Sequence, residues 1–414
     1  MNFLVSILGT LYYTTALSVI AVYTLGLAIF FRNAAMPSPK GLRRANPTVS
    51  LVIPTYNEAS IIGQKLDNVL KIDYPREKLE VIVVDSASTD ETRTIVYRFA
   101  EEHAHQLNLV LIEQPFRRGK SEAINEAMRR VRSEILILTD ADVTFPSNSV
   151  SRLVENLYES EIGAVSGVEV PVGARSFLAN LESGYRRIYT AVRLAEASID
   201  TPFMCESELS AYKTELLEPL RPGTVCDDVE LTVTVRRKGL RAVYASNVPF
   251  FESEADKLGP KFKHKFRRGM NNQHALLQNS SVLFGRNLGN YGSIVFPFEF
   301  FVHIVSPVLL TVALFSFLAF AVLAPIASAI ALLTTIVLSL PTLVLTRLLV
   351  NRYRGVENES PRGSGYWVLG AFAFLAFQLL LMASLLKLAF GGPQVNWQQI
   401  PGTRVAVEAA AQSV

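Results

Sequence analysis

The sequence predicts an α/β domain with a mostly parallel sheet, set between one membrane helix before it and three after it. Three observations lead there. Apolar runs of strand length alternate with segments of helical period four times between Val49 and Val143, which is the pattern of parallel strands joined by crossover helices. The stretches 3–31, 304–346 and 363–386 contain no charged side chain, and each is long enough to cross roughly 30 Å of hydrocarbon as a helix. The middle stretch can cross twice, with Pro325 at the turn. Finally, Arg32, Lys40, Arg43 and Arg44 follow the first span, while Arg347, Arg352, Arg354 and Arg362 follow the third. Both clusters are then cytosolic, and so is the polar region between the first and second spans.

The 414 residues divide accordingly into a membrane helix (1–35), a cytosolic domain (36–256), a basic interfacial segment (257–292), three membrane helices (293–391) and a tail (392–414). The first span reads as an uncleaved anchor, since it lacks a basic start and is too long for a signal peptide. A net charge of +3 gives no electrostatic ground for nucleic-acid binding. Lys257, Lys261, Lys263, Lys265, Arg267 and Arg268 cluster just before the second span, which suits an anionic lipid surface or a phosphorylated ligand. Cys205 and Cys226 have no metal-binding spacing, and a cytosolic domain disfavours a disulfide.

Taken in order, Val49–Ile53 is a buried strand ending at Pro54, and the apolar spacing of Ile61, Ile62, Leu66, Val69 and Leu70 predicts the helix after it. Val81–Asp85 is the second strand, followed by the helix-start signal Ser88-Thr89-Asp90-Glu91. Leu109–Ile112 is the third, followed by Arg117-Arg118-Gly119-Lys120 and a helix from Glu122 to Val131. Ile135–Leu138 is the fourth, and it runs into Asp140-Ala141-Asp142. Side chains two apart on a strand share a face, so both carboxylates are expected to point into one crevice at the strand's carboxyl end. Two carboxylates so close repel unless a cation bridges them, and hard divalent cations prefer oxygen ligands. The glycine fingerprints of dinucleotide enzymes and of P-loop ATPases are both missing. Acids stand at the strand ends instead, at Glu58, Asp85, Asp90, Asp140 and Asp142.

Five pieces in order resemble the family 2 glycosyltransferases of GT-A (Rossmann-like) fold. They are Pro54-Thr55-Tyr56-Asn57-Glu58, residues 84–92 around Asp85 and Asp90, residues 119–125 starting Gly119-Lys120, Asp140-Ala141-Asp142, and Cys226-Asp227-Asp228. The resemblance implies a nucleotide-sugar pocket formed by Pro54, Tyr56, Glu58, Asp85, Asp90 and Lys120, with Asp140 and Ala141 near the sugar. It implies Mg²⁺ or Mn²⁺ on Asp142 and Asp140 and a catalytic base at Asp228 or its neighbour Asp227. His264 is a candidate third metal ligand because imidazole can bind Mn²⁺, and the reading as a satisfied surface histidine stands ahead of it. Arg267 and Arg268 are forked donors that suit a diphosphate. The usual Thr-Glu-Asp triplet is Cys226-Asp227-Asp228 here, and the Gln-x-x-Arg-Trp motif of polysaccharide synthases is replaced by residues 263–269 without a tryptophan.

The bland readings stand beside these. Glu58 is a plausible helix cap, Ser88 and Asp90 make ordinary N-caps, and an Asp at 227 or 228 favours a helix dipole. The expected function is an integral-membrane, multi-pass, inverting glycosyltransferase with its site in the cytosol. It would move a sugar from a nucleotide sugar, GDP-mannose ahead of UDP-glucose, to a membrane lipid or lipid-linked sugar at the bilayer. A processive polysaccharide synthase and an inactive nucleotide-sugar-binding subunit are the alternatives.

Overall fold

The computed structural model describes residues 2–35, 46–172, 177–253, 258–353 and 366–393. Eight strands form one sheet in the order β3-β2-β1-β4-β7-β6-β8-β5. The first four are β1 (Val49–Thr55), β2 (Leu79–Asp85), β3 (Asn108–Glu113) and β4 (Ile135–Thr139), all mutually parallel. They are joined by helices α2 (Ile62–Leu70), α3 (Thr92–Glu102) and α4 (Lys120–Arg130), as the alternating pattern requires. Along β1 the odd residues Val49, Leu51 and Ile53 pack with Ile62 and Leu66 of α2, while Val52 packs with Ala123 and Ile124 of α4 on the other face. Both faces of these strands are covered, so they read as unbroken apolar runs rather than as alternation.

The second half of the sheet is mixed. After β5 (Val143–Thr144) and α5 (Ser149–Leu157) come β6 (Ile162–Val172), α6 (Phe177–Ile199), β7 (Leu209–Lys213), α7 (Asp227–Arg237) and β8 (Arg241–Ser253). β7 runs antiparallel to β4 and to β6, and β6 pairs with β8 in parallel through two register irregularities. Placing β7 beside β4 brings residues 206–208 next to the turn 140–142, because Leu209 pairs with Thr139.

Helix α8 (Leu258–Gln278) then leads toward the membrane region. Four helices are long and apolar enough to cross a membrane: Asn2–Asn33 (α1), Tyr291–Leu323, Pro325–Arg352 and Ala373–Gly391. The second and third spans break at Ala324, where Pro325 opens the next helix. Lys40, Arg43, Arg44, Lys257, Arg354 and Arg362 lie outside the described residues. Several contacts fasten the domain to the spans, among them these two. Arg193 of α6 is buried and bonds both Glu196 and, at 3.1 Å, Glu299 of the second span. Gly269 of α8 lies so close to the fourth membrane helix that a Cβ there would meet Leu381 Cδ2 at 2.9 Å.

Candidate active site

A cleft of 170 Å³ opens at the carboxyl ends of β1 and β4, bounded by the N-termini of α4 and α7 and by α8. It gathers Pro54, Tyr56 and Glu58 from the end of β1, Lys120 from α4, Asp140, Ala141 and Asp142 after β4, Asp227 and Asp228 from α7, and His264, Arg267 and Arg268 from α8. Residues spread over more than two hundred positions of sequence therefore meet in one cavity, where open α/β sheets collect ligands.

One expectation needs correction. Asp140, Ala141 and Asp142 do not continue the strand, because β4 ends at Thr139 and the three residues form the turn into β5. Their common direction comes from that turn and not from strand alternation. Lys65, buried on the inner face of α2, holds both ends of it: its ammonium donates to Thr139 Oγ1 and to the Val143 carbonyl, each at 2.7 Å. It also stands 4.7 Å from the centre of the Phe145 ring. Burial pulls the Lys65 ammonium down to about 7, against the opposing attraction of Asp140. A charge on the apolar stripe of Ile62, Leu66 and Val69 was the signal for this residue, and sequence reasoning passed over it.

Lys120 is the hub of the cleft. Gly119 precedes it with φ of 92°, a conformation that disfavours side chains, and this turns the first residue of α4 inward. Its Nζ lies 2.7 Å from Asp140 Oδ1, 3.7 Å from Asp227 Oδ2, and donates to Ser207 Oγ at 2.7 Å. Burial opposes the Lys120 charge, but Asp140, Asp227, Asp228 and Glu208 outweigh it and hold the ammonium well above its ordinary range. The two acidic motifs, 86 positions apart between Asp142 and Asp228, are thus tied through one cation.

Asp228 accepts a hydrogen bond from the Ser207 backbone N–H at 2.8 Å. Burial, then repulsion from Asp227 and Glu208, pushes its carboxyl up to about 8, with Lys120 and the Ser207 bond pulling the other way. Arg268 donates to Glu208 at 2.7 Å, and Arg117 lies flat on Tyr56, its guanidinium carbon 3.7 Å from the ring centre. Burial and the neighbouring Arg268 lower Arg267 to about 10. Burial and the surrounding arginines drive His264 well below its usual range, leaving a neutral imidazole.

Asp85 and Asp90, expected in the nucleotide-sugar pocket, are not among the residues that line the cleft, whereas Ser86, next to Asp85 in the chain, does line it. Asp85 is fully buried, accepts from Ser88 N at 2.9 Å and keeps Oδ1 without a hydrogen bond among the described residues. Asp90 ties two loops, accepting from Ala59 N at 3.1 Å and from Thr92 N at 3.0 Å. Glu58 is buried, and its backbone N–H donates to Thr92 Oγ1 at 2.8 Å.

The donor chemistry at Asp140 and Asp142 suits a small divalent cation, which is commonly held by one or two carboxylates with the rest supplied by phosphate and water. Among the described residues no three His, Cys, Asp or Glu side chains gather closely enough to hold an ion by themselves. His264 lines the same cavity without completing such a trio.

The family model for glycosyl transferase family 2 matches residues 50–219, which include β1 to β7 and the 140–142 turn. Residues 50–219 thus form a domain similar to those of the family 2 glycosyltransferases. That domain has the GT-A fold, and a solved mannosyltransferase from Pyrobaculum calidifontis, in complex with GDP-mannose and Mn²⁺, superimposes with a TM-score of 0.68. The two are 27% identical, with 92% of this chain and 99% of that one covered. Similar curated proteins include an N-acetylglucosaminyltransferase of Azorhizobium caulinodans, 24% identical over 53% of this chain and 58% of its own length. A beta-monoglucosyldiacylglycerol synthase of a Nostoc species is 26% identical over 47% of this chain and 39% of its own. The matched region is thus less than two thirds of either curated relative. The match to the glycosyltransferase domain stops short of Asp227, Asp228 and α8, which the fold brings to the same cleft.

Proposed function

We propose that the chain is a membrane-bound, metal-dependent, inverting hexosyltransferase. It moves a sugar from a nucleotide sugar, GDP-mannose ahead of UDP-glucose, to a membrane lipid or lipid-linked sugar at the cytosolic face. The observation that carries this reading is the convergence of Asp140, Asp142, Asp227 and Asp228 on one cleft around Lys120. The preference for GDP-mannose is supported by likeness to the mannosyltransferase along nearly its whole length.

In this reading Asp140 and Asp142 hold Mg²⁺ or Mn²⁺, which supplies positive charge against that growing on the departing diphosphate. Arg117 on Tyr56 offers a flat surface for the base, and Lys120 and Arg267 face the diphosphate. Asp228 takes the proton of the acceptor hydroxyl. As that oxygen bonds to the anomeric carbon, the bond from carbon to diphosphate oxygen breaks on the opposite side, and the configuration inverts. A carboxylate with its affinity for protons raised toward neutrality is a better base than an ordinary one. The test is transfer of radiolabelled sugar from GDP-mannose or UDP-glucose into extracted lipids. Label found only in water-soluble glycan or long polymer would defeat the lipid acceptor. Transfer lost in Asp228→Asn with nucleotide binding retained would separate the enzyme from a silent binding subunit.

A further inference from the structure

Three cavities run end to end from the cleft into the membrane helices. The cleft shares Met204, His264, Arg268 and Asn272 with a neck of 80 Å³, and the neck shares Tyr185, Tyr189, His303 and Phe377 with a groove of 520 Å³. The groove lies among α1, α6 and the spans, between Ser339 and Thr342 of the third and Phe374 and Leu375 of the fourth. Its volume is within the range of small-molecule sites, and apolar side chains dominate the wall. The serine and threonine hydroxyls there are engaged elsewhere. Ser339 donates to the Ile336 carbonyl at 2.7 Å, Thr346 to the Thr342 carbonyl at 2.8 Å, and Thr342 bonds Thr24 at 2.6 Å. The wall therefore offers a guest little but hydrocarbon.

The neck is different. Glu169 Oε1, Glu206 Oε2 and Tyr189 Oη are buried there without hydrogen-bond partners among the described residues. Orphaned buried polar atoms are costly unless something else satisfies them. Of the cations lining the neck, Arg186 pairs with Glu169, Arg268 pairs with Glu208, and Lys265 lies over the Tyr185 ring at 4.6 Å from its centre. The two carboxyl oxygens offer acceptor capacity and the Tyr189 hydroxyl both a donor and an acceptor, a set that a hydroxyl-bearing group matches better than an anionic head.

We propose that the groove holds the hydrocarbon chain of the acceptor lipid and the neck holds its hydroxyl-bearing head, a glycosyl or glycerol unit, delivering one hydroxyl to Asp228. This rests on the lipid-acceptor reading above and adds where the lipid lies and what its head must be. The full chain, in phosphatidylcholine vesicles, is given a glucosyl-diacylglycerol with a diazirine in mid-chain, and photolabelled residues are mapped by mass spectrometry. Labels concentrate on the groove walls of the third and fourth helices and are competed by unlabelled lipid. Ser339→Trp, which fills the groove, cuts that labelling at least tenfold and raises the lipid KM at least tenfold, while a wild-type rise in melting point with GDP shows that it has folded. Leu333→Trp, on the same helix but outside the groove, changes neither. Labelling spread evenly over the spans, or an unchanged lipid KM in Ser339→Trp, overturns the groove assignment. Wild-type protein that hydrolyses donor but glycosylates no lipid overturns the lipid-acceptor reading instead.

Discussion

Lys120→Met removes one positive charge from the centre of the cleft while keeping most of the side chain's bulk. With an effective dielectric of about 20, a unit pair at the Lys120–Asp140 distance of 2.7 Å attracts by about 6 kcal/mol, before desolvation is subtracted. Breaking a buried pair by removing one partner costs about 3–5 kcal/mol, because the other charge is left uncompensated. Both side chains retain nearly 30% exposure, 29% and 28%, so solvent screening places the loss at the low end, about 3 kcal/mol. For a domain of this size that is a fall of roughly 6–12 °C in melting point. The assay is thermal unfolding of the detergent-solubilised protein, first in chelator and then across a Mn²⁺ titration. In chelator the variant melts lower than wild type. Added Mn²⁺ closes at least half the gap, because a cation on Asp140 and Asp142 replaces part of the missing charge. Equal melting points in chelator, or a gap that Mn²⁺ leaves untouched, would refute the assignment of Lys120 as the link between the two acidic motifs.

Other outcomes follow from the same geometry. As the proposed base, Asp228 would act deprotonated, so kcat/KM should rise with pH through about 8 and level off above it. In Lys120→Met that limb moves to higher pH, since Lys120 pulls the Asp228 value down. The stability sign is opposite: raised above its unfolded value near 3.8, the Asp228 carboxyl favours folding when protonated, so its contribution fades as pH climbs from about 4 to 8. Lys65→Met loses the clamp on both ends of the 140–142 turn. Mn²⁺ affinity by calorimetry should fall about 10–100-fold, as for other groups that support metal ligands, and unchanged affinity would deny Lys65 that role. Arg193→Met strips Glu196 and Glu299 of their buried partner and should cost about 3–5 kcal/mol in denaturant unfolding, whereas a loss below 1 kcal/mol would mean that the pair is dispensable.

The parallel half of the sheet was legible because burial on both faces turns a strand into an uninterrupted apolar word, and β1, β2 and β4 are such words. The antiparallel half was not. β6 carries Gly163, Ser166, Gly167 and Pro171, and its partner β8 is paired with two register irregularities, so neither periodicity nor composition announced them. Helix α6 mixes arginines and glutamates with aromatics, a pattern that makes sense only once Arg193 is seen bonded to Glu299 in the membrane region. Within the cleft the acids were readable as motifs, but their relation was not. Nothing local says that Lys120 stands between Asp140 and Asp227, because that contact depends on how α4 and α7 pack against the ends of the sheet. Ser207 was missed for the same reason: its backbone N–H orients Asp228 only because β7 pairs with β4.

The charge inventory of the cleft constrains how a donor enters it. Glu58, Asp140, Asp142, Glu208, Asp227, Asp228 and Glu252 line it against Arg117, Lys120, Arg267 and Arg268, seven carboxyls to four permanent bases. With Asp228 protonated, and Glu252 too because burial and Glu169 drive its carboxyl well above the usual range, the excess is one negative charge, and a diphosphate brings about two more. Bringing them together without a cation would set like charges against each other in a partly desolvated space, where each interaction is stronger than in water. In the proposed reading a divalent ion would offset the donor's charge and relieve the pair at 140 and 142 together. Nucleotide and metal should therefore bind with positive coupling, each tightening the other by the same factor. Calorimetric titration of GDP with and without saturating Mn²⁺, repeated with Asp142→Asn, measures that factor directly. A coupling of tenfold or more that collapses in the variant is the expected result, and GDP affinity indifferent to Mn²⁺ in the intact protein would show that the arginines of α8 and Lys120 carry the diphosphate unaided.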